Sequence, residues 1–297
     1  MRGSAINSNT HPILGGNARN LDLWPIGNCQ ASALIDRAGR MVWACVPRVD
    51  GDPVFSALLD DADWDDDAAI GFWAIELENC VAVEQYYLRN TPVLVTRQSD
   101  TQGNVIEIFD FCPRHKHKGR MYRPVAFARI ARPVAGSPRI RVRLRPTTAW
   151  NAETVPINYG SNHIRMVLSY MAMRVSTDAP IGLIAQESWF RLEQDAHFFM
   201  GPDEGFSDAL RPALQRMLDD TVEEWRLWVR GLAIPAEWQE AVIRSAITLK
   251  LCQHEETGAI VAALTTSIPE HADSGRNWDY RYCWVRDAYY TVEALNL

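Results

Sequence analysis

The chain has 297 residues, of which 47% are apolar, and a net charge of −7 at pH 7. That length corresponds to about two domains at roughly 100–200 residues each, with enough apolar side chains for sizeable cores. The acidic balance argues against nucleic acid or an anionic membrane surface as partner, since polyanions are met by basic surfaces. No run of about 18 apolar residues occurs and the first ten residues lack an apolar signal core, so a soluble cytoplasmic protein is expected. Six cysteines, Cys29, Cys45, Cys80, Cys112, Cys252 and Cys283, stand far apart with no CxxC pair and no His spaced for zinc. They read as buried thiols in a reducing compartment, with no disulfide framework, metal site or cofactor indicated.

From about residue 20 to 205 the apolar period is two, broken at short intervals by Gly, Pro and Asn or Asp. Strands are predicted at 33–35 and 41–46 around a turn at 36–40, then at 72–77, 81–88, 93–97, 105–111 and 126–131. Others are predicted at 139–145, 163–168 and 172–176. The clearest is 139–145, where strict alternation puts Arg139, Arg141, Arg143 and Arg145 on one face and three aliphatics on the other. So many strands without interleaved helices imply a mainly β domain, a large sandwich over residues 1–206.

The period changes near 207. Ser207 is placed to cap a helix carrying Leu210, Leu214, Met217, Leu218, Val222, Trp225, Trp228 and Val229, with Gly231 at the C′ position, and residues 207–235 read as a linker helix. A second helix is predicted from Pro235, in its first turn, through Trp238, Val242, Ile243, Ala246, Ile247 and Leu249 to Cys252. From Val285 onward the pattern is helical again, with Val285, Ala288, Tyr289, Val292 and Leu295 near one stripe. The basic run from Arg114 to Arg120 reads as a solvated loop, having no aromatic platform for nucleic acid. The acidic run over 60–67 reads as a solvated turn, because it lacks the glycine and terminal Glu of a calcium loop.

Residues 277–287 pack Trp278, Tyr280, Tyr282 and Trp284 together with Asp279, Arg281, Arg286 and Asp287. Flat rings cover the apolar C–H faces of a pyranose while Arg donors and Asp acceptors satisfy its hydroxyls, so the segment suits a monosaccharide cradle. The step of two would align the four aromatics on one side of an extended segment, either as a sugar wall or as the buried face of a strand. Tyr280 and Trp284 are expected toward the pocket and Trp278 and Tyr282 in packing. Asp279 and Arg281 would face the other way as a structural ion pair.

Two blocks resemble glycoside hydrolase family 15, the glucoamylase-like enzymes, in its bacterial form. The first is 23–35 with 40–50, including Trp24, Pro25, Gly27, Trp43 and Asp50, and is similar to the opening of the family's trehalase-like N-terminal β-domain. The second runs from 245–250 through 258–263 and 265–270 to 276–288 and is similar to the start of the family's (α/α)6 barrel. Asn28 departs from the family, which often has Asp there, and is assigned no role. The resemblance implies an N-terminal super-sandwich, a linker helix and, over 236–297, the first helices of a glycosidase barrel. A ring of twelve helices needs roughly 200 residues, so the barrel is expected to be incomplete and the chain truncated.

The implied activity is that of an inverting exo-α-glucosidase of the glucoamylase type, releasing glucose from α-glucans or maltodextrins. A trehalase of the same family is the nearest rival, and a non-catalytic carbohydrate-binding or interaction module is the alternative from another class. The implied partner is an α-glucan or glucose-containing oligosaccharide. The family's two catalytic glutamates lie downstream of this segment, matching neither Glu270 nor Glu293, so this chain alone is expected to be inactive. Substrate binding carries over onto four positions. Arg286 and Asp287 match the Arg-Asp pair that holds the terminal glucose, Tyr280 an aromatic beside the oxocarbenium centre, and Trp284 an aromatic lining the pocket. Outside this motif, an Arg-Asp dipeptide at a helix start would read as a surface pair.

Overall fold

A computed structural model describes residues 21–60, 67–266, 268 and 275–296. Two antiparallel sheets face one another. One runs in the order Trp24–Gly27, Ser32–Ile35, Met41–Val46, Phe72–Leu77, Arg139–Arg145 and Phe190–Arg191, with Asp52–Ser56 paired to Met41–Val46 off that path. The other runs Ile157–Tyr159, His163–Val167, Ala172–Thr177, Ala196–Pro202, Phe127–Ala135, Val105–Phe111, Leu94–Asp100 and Cys80–Tyr87. Their inner faces share one core, in which Ile35, Met41, Trp73, Ile75 and Val142 of the first sheet meet Leu94, Ile106, Phe127, Met173 and Phe198 of the second. Alternation along each strand supplies these inward residues. A buried pair joins the layers. Arg129 binds Asp110 through Nε at 2.6 Å and donates to the carbonyls of Trp73, in the opposite sheet, and Gly39, in the turn before Met41–Val46, each at 2.6 Å.

The outer faces are covered as well. Helix α1 is the short Ile181–Ala185, and α2 is Leu210–Arg230. Leu214 and Leu218 of α2 join Val95, Phe109, Phe111 and Ile130 on the outer face of the eight-stranded sheet. Further along α2, Trp225 and Val229 join a third core with Val42, Trp43, Phe72 and Ala74 of the seven-stranded sheet. That core also takes Ile247 and Leu251 of α3, Gln239–Leu251. Because both faces are packed, Met41–Val46 is buried at every position and its burial does not alternate. The helix read as a linker is therefore part of the packing of both sheets.

Several local expectations are corrected. Ser207 does not cap α2; Ala209 stands at the N-cap with no side-chain bond. Gly231 is right-handed at φ −83°, so its freedom for positive φ is unused. The second helix starts at Gln239 rather than in the turn of Pro235, after Trp238 with φ 60° and its side chain 80% exposed. The run from Arg114 is a hairpin, His115–His117 with Arg120–Tyr122, and Arg114 and His115 are buried. Cys283 is exposed, unlike the buried Cys29, Cys45 and Cys112. Residues 1–20, the acidic positions 61–66 and Glu270 lie outside the described residues.

The four arginines of Arg139–Arg145 do share a face, yet that face is not simply solvated. Arg139 pairs with Glu78 at 2.9 Å, Arg141 with Glu76 at 2.8 Å and Arg145 with Glu187 at 2.7 Å. Arg143 is buried, also paired with Glu76, with its guanidinium 4.8 Å from the centre of the Phe72 ring.

Candidate sugar-binding site

The segment before α4, Val285–Asn296, is a turn and not a strand. The predicted row of four aromatics on one side is therefore absent. Trp278 and Tyr282 are exposed, at 47% and 68%, although Trp278 keeps an edge contact with Trp284, while Tyr280 and Trp284 are half-buried. The turn forms because Asp279 and Arg281 close on one another. The Asp279 carboxylate accepts the Arg281 backbone N–H at 3.1 Å and its guanidinium at 2.9 and 2.7 Å. This is the ion pair expected from the sequence, made by a turn instead of by strand geometry.

Trp284 is the hub of the site. Its indole N–H donates to the Asp279 carbonyl at 2.9 Å, and its own carbonyl accepts the Ala288 N–H at 2.9 Å, which starts α4. Its ring lies 6.1 Å from the Tyr280 ring and 6.3 Å from the Trp278 ring, the latter nearly perpendicular. The Arg286 guanidinium lies 5.5 Å from the Trp284 ring and donates to Asp287 at 3.0 Å. Tyr280, Trp284, Arg286 and Asp287 thus form one run of contacts around the helix start. Asp287, in the first turn, gains from the helix dipole. Together the rings, the guanidinium and the carboxylate offer an apolar face, donors and acceptors to a hydroxylated ring. Among the described residues, no group of three or more His, Cys, Asp or Glu side chains is placed to hold a metal ion.

Three other features were not legible locally. Glu255, just past α3, accepts both terminal nitrogens of Arg114 at 2.9 and 2.8 Å, with Lys250 at 2.8 Å and Arg123 at 3.3 Å. Burial opposes ionisation, but the hydrogen bonds from Arg114 and Lys250 outweigh it and hold the carboxyl down to about 2. Asn28 is fully buried, donates to the carbonyls of Pro113 and Pro124 and accepts from the N–H groups of Gln30 and Ala31. Trp150, on the sandwich, has the Arg281 guanidinium 5.4 Å from its ring centre. Arg114, the Pro113 and Pro124 carbonyls and Arg281 are each distant in sequence from the residue they meet, and only the family departure at Asn28 marked any of these contacts. Burial also pushes the Cys29 thiol up to about 11, which leaves it neutral and without nucleophilic thiolate character.

A sandwich covered by helices leads into an aromatic Arg-Asp helix start, the order of parts that the resemblance to the glycoside hydrolases implies. The family model described as "Trehalase-like, N-terminal" matches residues 11–198, and "Glycosyl hydrolases family 15" matches residues 237–297. The chain belongs to glycosyl hydrolase family 15 and carries that family's trehalase-like N-terminal domain. It is 29% identical over 289 residues to a trehalase of Thermoplasma volcanium, covering 91% of this chain and 43% of the relative. Against a trehalase of Mycolicibacterium smegmatis it is 27% identical over 295 residues, with the same shares covered. Against "Trehalase 1" of Sulfolobus acidocaldarius it is 27% identical over 275 residues, covering 91% and 44%. The chain thus spans less than half the length of these relatives. No solved structure gives a significant match.

Proposed function

We propose that this chain supplies the β-domain and the first barrel helices of an inverting α-glucosidase acting on trehalose, and that Tyr280, Trp284, Arg286 and Asp287 hold one glucosyl unit. The observation that carries the sugar site is the Trp284-centred cluster, in which a guanidinium and a carboxylate stand beside aromatic faces at a helix start. The names of the relatives favour trehalose over the longer α-glucans of a glucoamylase.

In this reading the residues of the chain bind and orient. The Trp284 and Tyr280 rings cover a C–H face, Arg286 donates to ring hydroxyls, and Asp287 accepts from them. Inversion requires a general acid and a general base roughly 6.5–9.5 Å apart with a water between. The resemblance assigns both to segments beyond residue 297. The test is to express this chain and a version extended through the downstream reading frame, then measure glucose release from trehalose, maltose and dextrin. The extended protein should turn over trehalose best and the 297-residue chain none. A preference for maltose or dextrin would move the reading to a glucoamylase, and turnover by the shorter chain would refute the assignment of the acid and base.

A further inference from the structure

The sandwich holds one conspicuously strained loop. Ala149, Trp150 and Asn151 have φ of 53°, 55° and 74°, three consecutive non-glycine residues in the left-handed region. Such a run persists only where its surroundings over-determine it. Here Asp52, itself buried, accepts from the Thr148 hydroxyl at 2.9 Å, the Ala149 N–H at 2.6 Å and the Trp150 N–H at 2.8 Å. The Asn151 side-chain oxygen accepts from the Ser56 hydroxyl at 2.8 Å.

Burial does not explain the strain, since the Trp150 side chain remains 38% exposed. What the loop fixes is a direction. The Trp150 ring has Trp43 at 6.5 Å and, from the far end of the chain, the Arg281 guanidinium at 5.4 Å. An Arg-Asp pair about one-third exposed is weak by itself and free to change rotamer. A guanidinium also held over an indole face has far fewer alternatives. Arg281 grips Asp279, the Asp279 carbonyl receives the Trp284 indole N–H, and Trp284 carries Arg286 beside its ring.

We propose that Trp150 is a positioning residue of the sugar site: the β-domain, through Trp150 and the Arg281–Asp279 pair, sets the orientation of Trp284 and hence of Arg286. This rests on the reading of Trp284 and Arg286 as sugar-holding groups. Trp150 itself is not among those groups and acts through Arg281.

The test uses the 297-residue chain labelled with 5-fluorotryptophan, with the fluorine signals of individual tryptophans assigned by single Trp→Phe replacement. Trp150→Leu is expected to shift and broaden the Trp284 signal while the signals of the core residues Trp73 and Trp225 stay in place. Trp150→Phe, which keeps a ring under Arg281, should leave the Trp284 signal near its original position. Arg281→Leu, made outside the sandwich, should move the Trp150 and Trp284 signals together. The proposal is overturned by an unmoved Trp284 signal in Trp150→Leu with the core signals intact, or by equal shifts in the Leu and Phe variants. Should Trp150→Leu lose the core signals, an unmoved Trp284 signal in Arg281→Leu overturns it instead. Trehalose is titrated separately into the unsubstituted chain. A Trp284 signal that ignores trehalose removes the sugar reading, whatever the variants show.

Discussion

Glu255 and Arg114, 141 positions apart, meet as a bidentate ion pair that fastens the segment after α3 to the sandwich, with the Arg114 side chain only 5% exposed. Arg123 and Lys250 share the same carboxylate. Removing the carboxylate leaves three cations without their common partner. Glu255→Ala should therefore cost about 3 kcal/mol of unfolding free energy in urea denaturation, the range for breaking a largely buried pair from one side. A loss below about 0.5 kcal/mol would place the pair with ordinary surface bridges.

The same group sets a pH dependence. Its folded value, about 2, lies below the ordinary glutamate value of about 4.3, so its contribution is fully present above the unfolded value and fades as pH falls toward 2. Between about pH 4.5 and 2 the Tm of the unsubstituted chain should fall more steeply than that of Glu255→Gln. Parallel Tm curves across that window would contradict the assignment.

Asn28 explains its own departure from the family's Asp. Both amide hydrogens point at carbonyl oxygens, those of Pro113 and Pro124, while the amide oxygen takes two backbone N–H groups, so all four sites are used. Asn28→Asp sets a carboxylate oxygen against those two carbonyls in a fully buried place and should cost about 2 kcal/mol at pH 7. Burial against acceptors raises the folded pKa of the new acid, so the penalty should shrink as pH falls and a proton restores one donor. Urea denaturation of both proteins at pH 7 and pH 4 reads this directly. An equal penalty at the two values would show that the carbonyls do not face the side chain.

What the sequence made legible follows the range of the interactions. Strand alternation over Arg139–Arg145 and the periodicity of α2 and α4 are local, and all three elements form, α2 as Leu210–Arg230 within the 207–235 expected. The motif at 277–287 was legible as chemistry but not as shape. A step of two also suits a turn once Asp279 closes on Arg281, and residue types alone do not separate the two geometries. The burial of Arg114, the covering of both sheets by α2 and the contact of Trp150 with Arg281 join distant parts of the chain. No local window holds both partners, so Arg114 read as solvated and the packing of α2 on both sheets was not legible.

Arg129 and Asp110 form a wholly buried ion pair, with both side chains at 0% exposure. Arg129 also spans the sandwich to two carbonyls, so Asp110→Ala leaves a guanidinium charge inside the core. It should destabilise by about 3–5 kcal/mol. Replacing both partners with apolar groups, Asp110→Leu with Arg129→Met, removes the stranded charge but also the donors to the Trp73 and Gly39 carbonyls. The double variant should therefore lose less than Asp110→Ala, without regaining full stability. A double variant worse than the single one would show that the carbonyl bonds outweigh the charge.

Asp287 supplies the sharpest test of the sugar site. Its side chain is 31% exposed and accepts from its neighbour Arg286, so little of the fold depends on it. In a protein extended through the downstream reading frame, Asp287→Ala should leave Tm within about 2 °C, because a surface change of under 0.5 kcal/mol moves a chain of this size no further. If Asp287 accepts from a hydroxyl of the bound glucosyl unit, kcat/KM on trehalose should fall by roughly 100-fold or more, since losing one preorganised partner typically costs about 2.7–4 kcal/mol in the transition state. Asp287→Asn keeps an acceptor oxygen and should recover part of that loss. Unchanged kcat/KM in Asp287→Ala with an intact fold would return Arg286 and Asp287 to an ordinary surface pair at a helix start.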